Sequence, residues 1–248
     1  MISFNNLGHM GRLGNQMFQY AALKGIAKHR EYQYSIPTNT SLQECFKIPT
    51  TISNQNTNFL NVDNFEFDSN LFNTCPDNVD LVGYFQSEKY FNHIEKEIRQ
   101  DFTFYDRISS ICSHYRKNIF PSKEVISLHV RRTDYLTDSN FYSLSLDYYY
   151  QSLDLLPDLP VLILTDDYDW CKTKFTSNKF KISKSNNAYI DLCLMSLCDY
   201  HIIANSSFSW WGSWLAKSKK TIAPKIWVAG EFSKWNTKDL YLPNWNTL

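Results

Sequence analysis

Apolar residues in the second half of the chain fall in short unbroken runs at regular intervals. The runs are Val125–Val130, Val161–Thr165, Phe180–Ser183, His201–Ala204 and Thr221–Ala223. Between them, near residues 145–156, 168–176, 188–198 and 208–218, apolar positions recur at helical spacing with polar ones interposed. Strands apolar on both faces, alternating with amphipathic helices, predict a parallel sheet covered on both sides. The first half is less regular. Ile2-Ser3-Phe4 predicts a strand, and residues 15–29 predict a helix that buries Met17, Phe18, Ala21, Ala22, Ile26 and Ala27. The run Leu81-Val82-Gly83-Tyr84-Phe85 predicts a buried strand, residues 87–100 a helix, and the Asn/Thr-rich stretch 50–64 a surface loop. A second, smaller α/β domain is therefore expected. With the hinge placed at Pro121, the domains become residues 1–120 and 121–248, the extreme C-terminus packing back on the first. The chain has no internal repeat and no low-complexity tract.

Charge narrows the partners. Lys+Arg and Asp+Glu both number 25, so no net basic field draws the protein to nucleic acid or to anionic lipid. Any anion must be met by a local cluster. No apolar run approaches the roughly 18 residues of a membrane span, and Met1-Ile2-Ser3-Phe4-Asn5-Asn6 carries no leader pattern. A soluble, cytoplasmic protein without a transmembrane segment is expected. The six cysteines are scattered, without a C-x-x-C pair or metal-ligand spacing, and are expected to be reduced, packed thiols. Aromatic residues reach 16%, which suits either apolar platforms or core filling.

Ligands of open parallel sheets bind beyond the carboxyl ends of the strands, where the polar clusters of this sequence lie. After the first long run come His129, then Arg131, Arg132, Thr133 and Asp134. Two adjacent guanidiniums present planar forks of donors suited to a pyrophosphate; a solvated strand end paired with carboxylates is the other reading. After the second run come Asp166 and Asp167, and after the fourth Asn205, Ser206, Ser207 and Phe208, ahead of a new helix where phosphate oxygens are well received. Capping alone would need only one of these residues. Three of only 7 glycines stand at Gly8, Gly11 and Gly14, ahead of Asn15 and Gln16. That spacing is not the dinucleotide G-x-G-x-x-G, so no nicotinamide site follows; an anion-binding loop and a capped turn both fit. Asp167-Tyr168-Asp169 matches the D-x-D of metal-dependent sugar transferases, but a helix cap or a contact to a base edge fits as well. Trp210 and Trp211 read as core rather than platform, and Asp191 as a cap, an orienting group or a solvated position.

Four motifs resemble those of glycosyltransferase family 11, the α-1,2-fucosyltransferases. They are Gly11-Arg12-Leu13-Gly14-Asn15-Gln16-Met17-Phe18-Gln19-Tyr20-Ala21, His129-Val130-Arg131-Arg132-Thr133-Asp134, Thr165-Asp166-Asp167, and residues 202–215 beginning Ile202-Ile203-Ala204-Asn205-Ser206-Ser207. The resemblance implies a GT-B type enzyme, with two Rossmann-like α/β domains facing a cleft, the first on the acceptor side and the second binding the GDP-sugar. It implies inverting transfer of L-fucose from GDP-fucose to the 2-OH of a β-galactoside, without cofactor or metal, as in O-antigen or other glycan biosynthesis. Expected partners are GDP-fucose and a galactose-containing glycan; a lipid-linked acceptor would bring peripheral membrane contact. By the same similarity Arg131 holds the diphosphate with help from Arg132, His129 and Asp167 read the guanine, and Ser206 and Ser207 meet the β-phosphate. Asn15, Gln16, Asn205 and Phe208 complete the expected donor site. Thr133 and Thr165 depart from the family's usual Gly and Ser, and the chain is short, which leaves the acceptor open. Asp134 is the candidate base, although guanidinium neighbours weaken a carboxylate as a base; orienting the arginines is its other reading. Two rival classes remain: a metal-dependent transferase using Asp167 and Asp169, and a non-catalytic nucleotide- or glycan-binding module.

Overall fold

A computed structural model describes residues 1–49, 56–121 and 123–248. They form two α/β units, Met1–Tyr105 with Trp235–Leu242, and Asp106–Lys234 with Pro243–Leu248.

In the first unit the order is β1 (Ile2–Ser3), α1 (Leu13–His29), β2 (Tyr34–Ser35), α2 (Ser41–Cys45), β3 (Phe59–Val62), α3 (Ser69–Thr74), β4 (Asp80–Gly83) and α4 (Glu95–Asp101). The strands form a parallel sheet in the order β2-β1-β4-β3. Helix α1 buries Met17, Phe18, Ala21, Ala22, Ile26 and Ala27 as expected, and Leu13, Tyr20 and Leu23 besides. Its Gly25 lies against the 3-10 turn Glu88–Tyr90, where a Cβ would overlap the Tyr90 carbonyl oxygen. The helix expected near 87–100 is two 3-10 turns followed by α4. The loop expected over 50–64 is overturned at residues 59–62, which form the edge strand β3; residues 50–55 lie outside the described residues. An edge strand needs to bury only one face, so Asn61 fits it and Phe59 is left exposed.

In the second unit the order is α5 (Asp106–Ile119), β5 (Ile126–Val130), α6 (Leu146–Asp154), β6 (Val161–Thr165), α7 (Tyr168–Lys174), β7 (Phe180–Ile182), α8 (Ala188–Ser196), β8 (Tyr200–Ile202), α9 (Ser207–Ala216), β9 (Lys220–Ala223) and β10 (Asn246–Thr247). Every expected strand and helix of this half is present within a few residues of its expected ends. The parallel sheet runs β10-β9-β8-β5-β6-β7. Counted from β5 this is the 3-2-1-4-5-6 order of a dinucleotide-binding fold, whose direction reverses between β5 and β8. The α/β, doubly parallel architecture is thus the expected one. Trp210 and Trp211 are wholly buried, and all six cysteines are buried free thiols.

The domain boundary differs from the expected 120/121. Helix α5 buries Ile108 and Cys112, and the Cys112 thiol reaches the Ile190 carbonyl of α8 at 3.5 Å, so α5 belongs to the second unit and Pro121 lies inside it. The C-terminus also divides differently. Residues 235–242 join the first unit, where Asp239 accepts the Phe67 N–H at 2.9 Å and pairs with Lys89 at 2.5 Å. The last residues return to the second, where β10 extends the sheet and the Trp245 ring lies 5.7 Å from that of Trp210.

Gly25→Ala should lower the unfolding free energy by about 3 kcal/mol, because the obstacle is backbone and cannot rotate away. Urea unfolding checks this; a loss within 0.5 kcal/mol, the range of an ordinary surface substitution, would contradict the close crossing.

Candidate active site

Central strands of a parallel sheet are buried on both faces, and all five residues of β5 are buried. The strand ends at Val130, level with Thr165 of β6, so the next residues stand on the carboxyl rim beside the β5/β8 switch point. Asp166 gathers them. Its carboxylate accepts the Arg132 backbone N–H at 2.9 Å and the Thr133 hydroxyl at 2.7 Å, and pairs with Arg131 Nη1 at 2.8 Å. Burial pushes this carboxyl upward, but the two hydrogen bonds and Arg131 outweigh it and hold it below the usual range.

Arg131 has a second carboxylate, with Nη2 2.6 Å from Asp134 Oδ2, and its guanidinium carbon lies 5.4 Å from the centre of the Tyr135 ring. Arg132 bonds through Nε to Asp167 Oδ2 at 3.1 Å, and its guanidinium carbon lies 4.1 Å from the centre of the Trp170 ring. Asp167 also caps α7, its Oδ1 accepting the Trp170 N–H at 3.1 Å. Both of its oxygens are therefore engaged. Asp169 is exposed two positions on, a spacing at which helical side chains do not face each other.

The loop after β8 meets this cluster. The Tyr135 hydroxyl donates to the Asn205 carbonyl at 3.0 Å. Asn205 is 2% exposed, and its amide donates to the carbonyls of Tyr142 and Trp227, both at 3.0 Å, so one side chain ties together the loops after β5, β8 and β9. Ser206 caps α9, its hydroxyl accepting the Phe208 N–H at 3.3 Å, and Ser207 opens the helix. The first amides and the positive end of the dipole of a ten-residue helix thus stand at the switch point.

His129 ends this rim from below. It is 6% exposed, its ring centre lies 5.6 Å from that of Phe208, and its Nδ1 has no hydrogen-bond partner among the described residues. Burial, reinforced by Arg131, pushes its pKa down from 6.5 to about 3, so the imidazole is neutral.

The structure therefore brings together His129, Arg131, Arg132, Asp134, Asp167, Asn205, Ser206, Ser207 and Phe208. Asn15 and Gln16 stand in the first unit at the start of α1. Gly8 and Gly11 adopt φ of 99° and 91°, a region open to glycine, and a Cβ on Gly11 would press on the Asn15 side chain. Asn15 accepts from Gln86 at 2.9 Å, and Gln16 donates to the Gly11 carbonyl at 3.3 Å. Both brace the glycine loop. Asp191 accepts the hydroxyls of Ser183 and Ser185, each at 2.7 Å, in the first turn of α8. Tyr135 and Trp170 are rim residues that no motif marks in the sequence; Thr133 is one whose hydroxyl no fold-level argument required.

The model of the family described as Glycosyl transferase family 11 matches residues 2–248. The chain belongs to this family. Among its relatives, an α-1,2-colitosyltransferase of Escherichia coli is 30% identical, over 89% of this chain and 91% of the relative. The human galactoside α-(1,2)-fucosyltransferase 1 is 22% identical, over 95% and 72%. Among solved structures, the fucosyltransferase NodZ from Bradyrhizobium superposes with a TM-score of 0.60 at 13% identity, over 86% of this chain and 91% of NodZ. A POFUT1 complex with GDP superposes with a TM-score of 0.55 at 11% identity, over 88% and 94%. At such identities the superpositions speak for the fold, the GT-B fold of family 11 with its two parallel sheets. Among the described residues, no helix is long and apolar enough to cross a membrane.

The neutral His129 has a counterpart in His201, buried and pushed down to about 4, chiefly by burial. Both imidazoles gain a proton only on unfolding, so the unfolded chain binds more protons between pH 6.5 and about 4, and stability falls as pH drops through that window. Each should contribute a slope of about 1.4 kcal/mol per pH unit. His129→Asn should remove one such share from the pH dependence of urea unfolding; an unchanged slope would show that His129 is not buried neutral.

Proposed function

We propose that this family 11 glycosyltransferase moves L-fucose from GDP-fucose to the 2-OH of a galactose residue in a glycan, inverting the anomeric centre. One observation carries the reading: a guanidinium pair and the start of α9 share the switch point of a 3-2-1-4-5-6 sheet. Attack by the acceptor hydroxyl on C1 breaks the C1–O bond and leaves the electron pair on the β-phosphate of GDP. Preorganised guanidiniums and helix amides stabilise that charge. In this reading Arg131 and Arg132 hold the diphosphate, Ser206 and Ser207 meet the β-phosphate, and His129 and Asp167 recognise guanine with Phe208 beside them, Asp167 through the lone pairs left by its bonds to the Trp170 N–H and Arg132. Asn205 serves the site by holding its loops, and Asn15 and Gln16 by bracing the glycine loop of the other unit.

Asp134 is paired with Arg131. To accept the acceptor proton it must first lose that partner, which an incoming diphosphate would draw away. No metal is required in this reading, because cationic and N–H donors already supply the electrostatic work; Asp169, the second carboxylate of the D-x-D, is exposed and does not share a helix face with Asp167. The acceptor is a galactose-containing glycan, and a lipid-linked one would bring the enzyme to a membrane surface. A second donor is favoured by the colitosyltransferase relative: GDP-colitose, whose sugar is fucose without its 3-hydroxyl.

Incubation with GDP-fucose or GDP-colitose and a panel of β-galactosides, followed by linkage analysis, tests the reading. An α-1,2-linked fucoside is expected; a colitoside formed in preference would assign the second donor, and no product with either would leave a binding module. Arg131→Ala should lower kcat/KM by about three orders of magnitude, and Arg131→Lys by nearly as much, because the charge survives but the fork does not. Near-normal activity of the lysine variant would rule out bidentate binding. Turnover should survive EDTA; loss that Mn²⁺ restores and Asp169→Asn removes again would establish the metal-dependent alternative.

A further inference from the structure

Trp170 stands in the first turn of α7, three residues after Asp167, so the two lie on one face of the helix. Together they grip Arg132 in two ways. Asp167 Oδ2 takes Nε from the edge at 3.1 Å, and the guanidinium carbon stands over the Trp170 ring, 4.1 Å from its centre, well within the ~6 Å reach of a cation–π contact. An edge contact alone leaves a guanidinium free to turn about Nε; a ring packed 4.1 Å from its central carbon restricts that rotation.

The two neighbouring arginines then differ. Both terminal nitrogens of Arg131 are taken by carboxylates. Arg132 is held through its backbone N–H, its Nε and its face, and its Nη1 and Nη2 have no hydrogen bond or ion pair among the described residues. Its side chain is only 17% exposed, so this open fork is fixed at the rim rather than waving in solvent. Trp170 itself is partly buried and meets Phe175 edge-on, with 6.1 Å between ring centres.

We propose that Trp170 is a positioning residue, which holds Arg132 so that its terminal nitrogens stand as a ready bidentate fork for the diphosphate of the nucleotide donor. The proposal rests on the GDP-sugar reading above. Arg131 must trade a carboxylate for the ligand, whereas Arg132 engages without rearrangement. Trp170 therefore acts on nucleotide affinity and on donor KM more than on kcat.

Calorimetric titration with GDP tests this on the wild type, Trp170→Leu, Trp170→Phe, Arg132→Ala and the Trp170→Leu/Arg132→Ala double variant, with thermal unfolding of each. Trp170→Leu should weaken GDP about tenfold, equivalent to about 1.4 kcal/mol. It should raise donor KM similarly with kcat within about twofold. Trp170→Phe, which keeps an aromatic face, should recover most of the loss, and Trp170→Leu should change little once Arg132 is alanine. GDP affinity within twofold of wild type in Trp170→Leu would overturn the proposal. So would an equal loss in Trp170→Phe, or a full tenfold loss in the Arg132→Ala background, since either assigns packing rather than positioning. A wild type that binds GDP while these variants fail the pattern overturns the proposal alone; a wild type that binds no GDP overturns the donor reading and the proposal with it.

Discussion

The Asp166 carboxylate is the constraint on which the rim of the second unit depends. Two guanidiniums on consecutive residues repel each other and have ample rotamer freedom at a strand end. One half-buried carboxylate, accepting from the Arg132 backbone, the Thr133 hydroxyl and the Arg131 guanidinium, fixes the turn and neutralises part of the charge. Asp134 and Asp167 then take one arginine each. Three carboxylates against two guanidiniums leave the cluster without excess positive charge.

The same economy governs the neutral polar groups. Asn205 carries the chemistry of a ligand-binding amide but spends both N–H donors on loop carbonyls. Tyr135 spends its hydroxyl on the Asn205 carbonyl, and Tyr148 reaches the Ile203 carbonyl at 2.7 Å from beneath. These bonds satisfy carbonyls that the loops would otherwise bury unpaired. A loop so pinned keeps the start of α9 in register with the arginines. Among the described residues His129 Nδ1 and Asn205 Oδ1 are buried without a hydrogen-bond partner, and unsatisfied buried polar atoms at a rim are where a ligand repays the cost of desolvation.

The strand order gives these contacts their place. Crossovers from β5 through β6 to β7 run one way, and the chain then returns to lay β8 on the other side of β5. Loops after β5 and β8 therefore leave in opposite directions and open a crevice. Gly212 in α9 allows the close approach of Met195 in α8, where a Cβ would meet the Met195 side chain at 2.7 Å, so the helices covering that face pack tightly beneath the site.

The sequence by itself determined the second unit from β5 to β9, because strands buried on both faces must be apolar throughout and the helices between them must be amphipathic; each of those elements was legible within a few residues. It also determined the residue types of the rim and, through its four motifs, the family. It was weak where pairing is short or exposed. Strands of two residues such as β2 and β10, and the polar edge strand β3, bury too little to leave a pattern, and α5, which buries only Ile108 and Cys112, was not among the expected helices. Only the tertiary structure decided how the polar rim residues divide their work. That Asp167 grips Arg132, that Asn205 clamps three loops and that Trp170 stands against an arginine depend on which side chains converge across strands distant in sequence. Hydrogen bonds and cation–π contacts are directional and local in space, so composition and spacing carry no record of them.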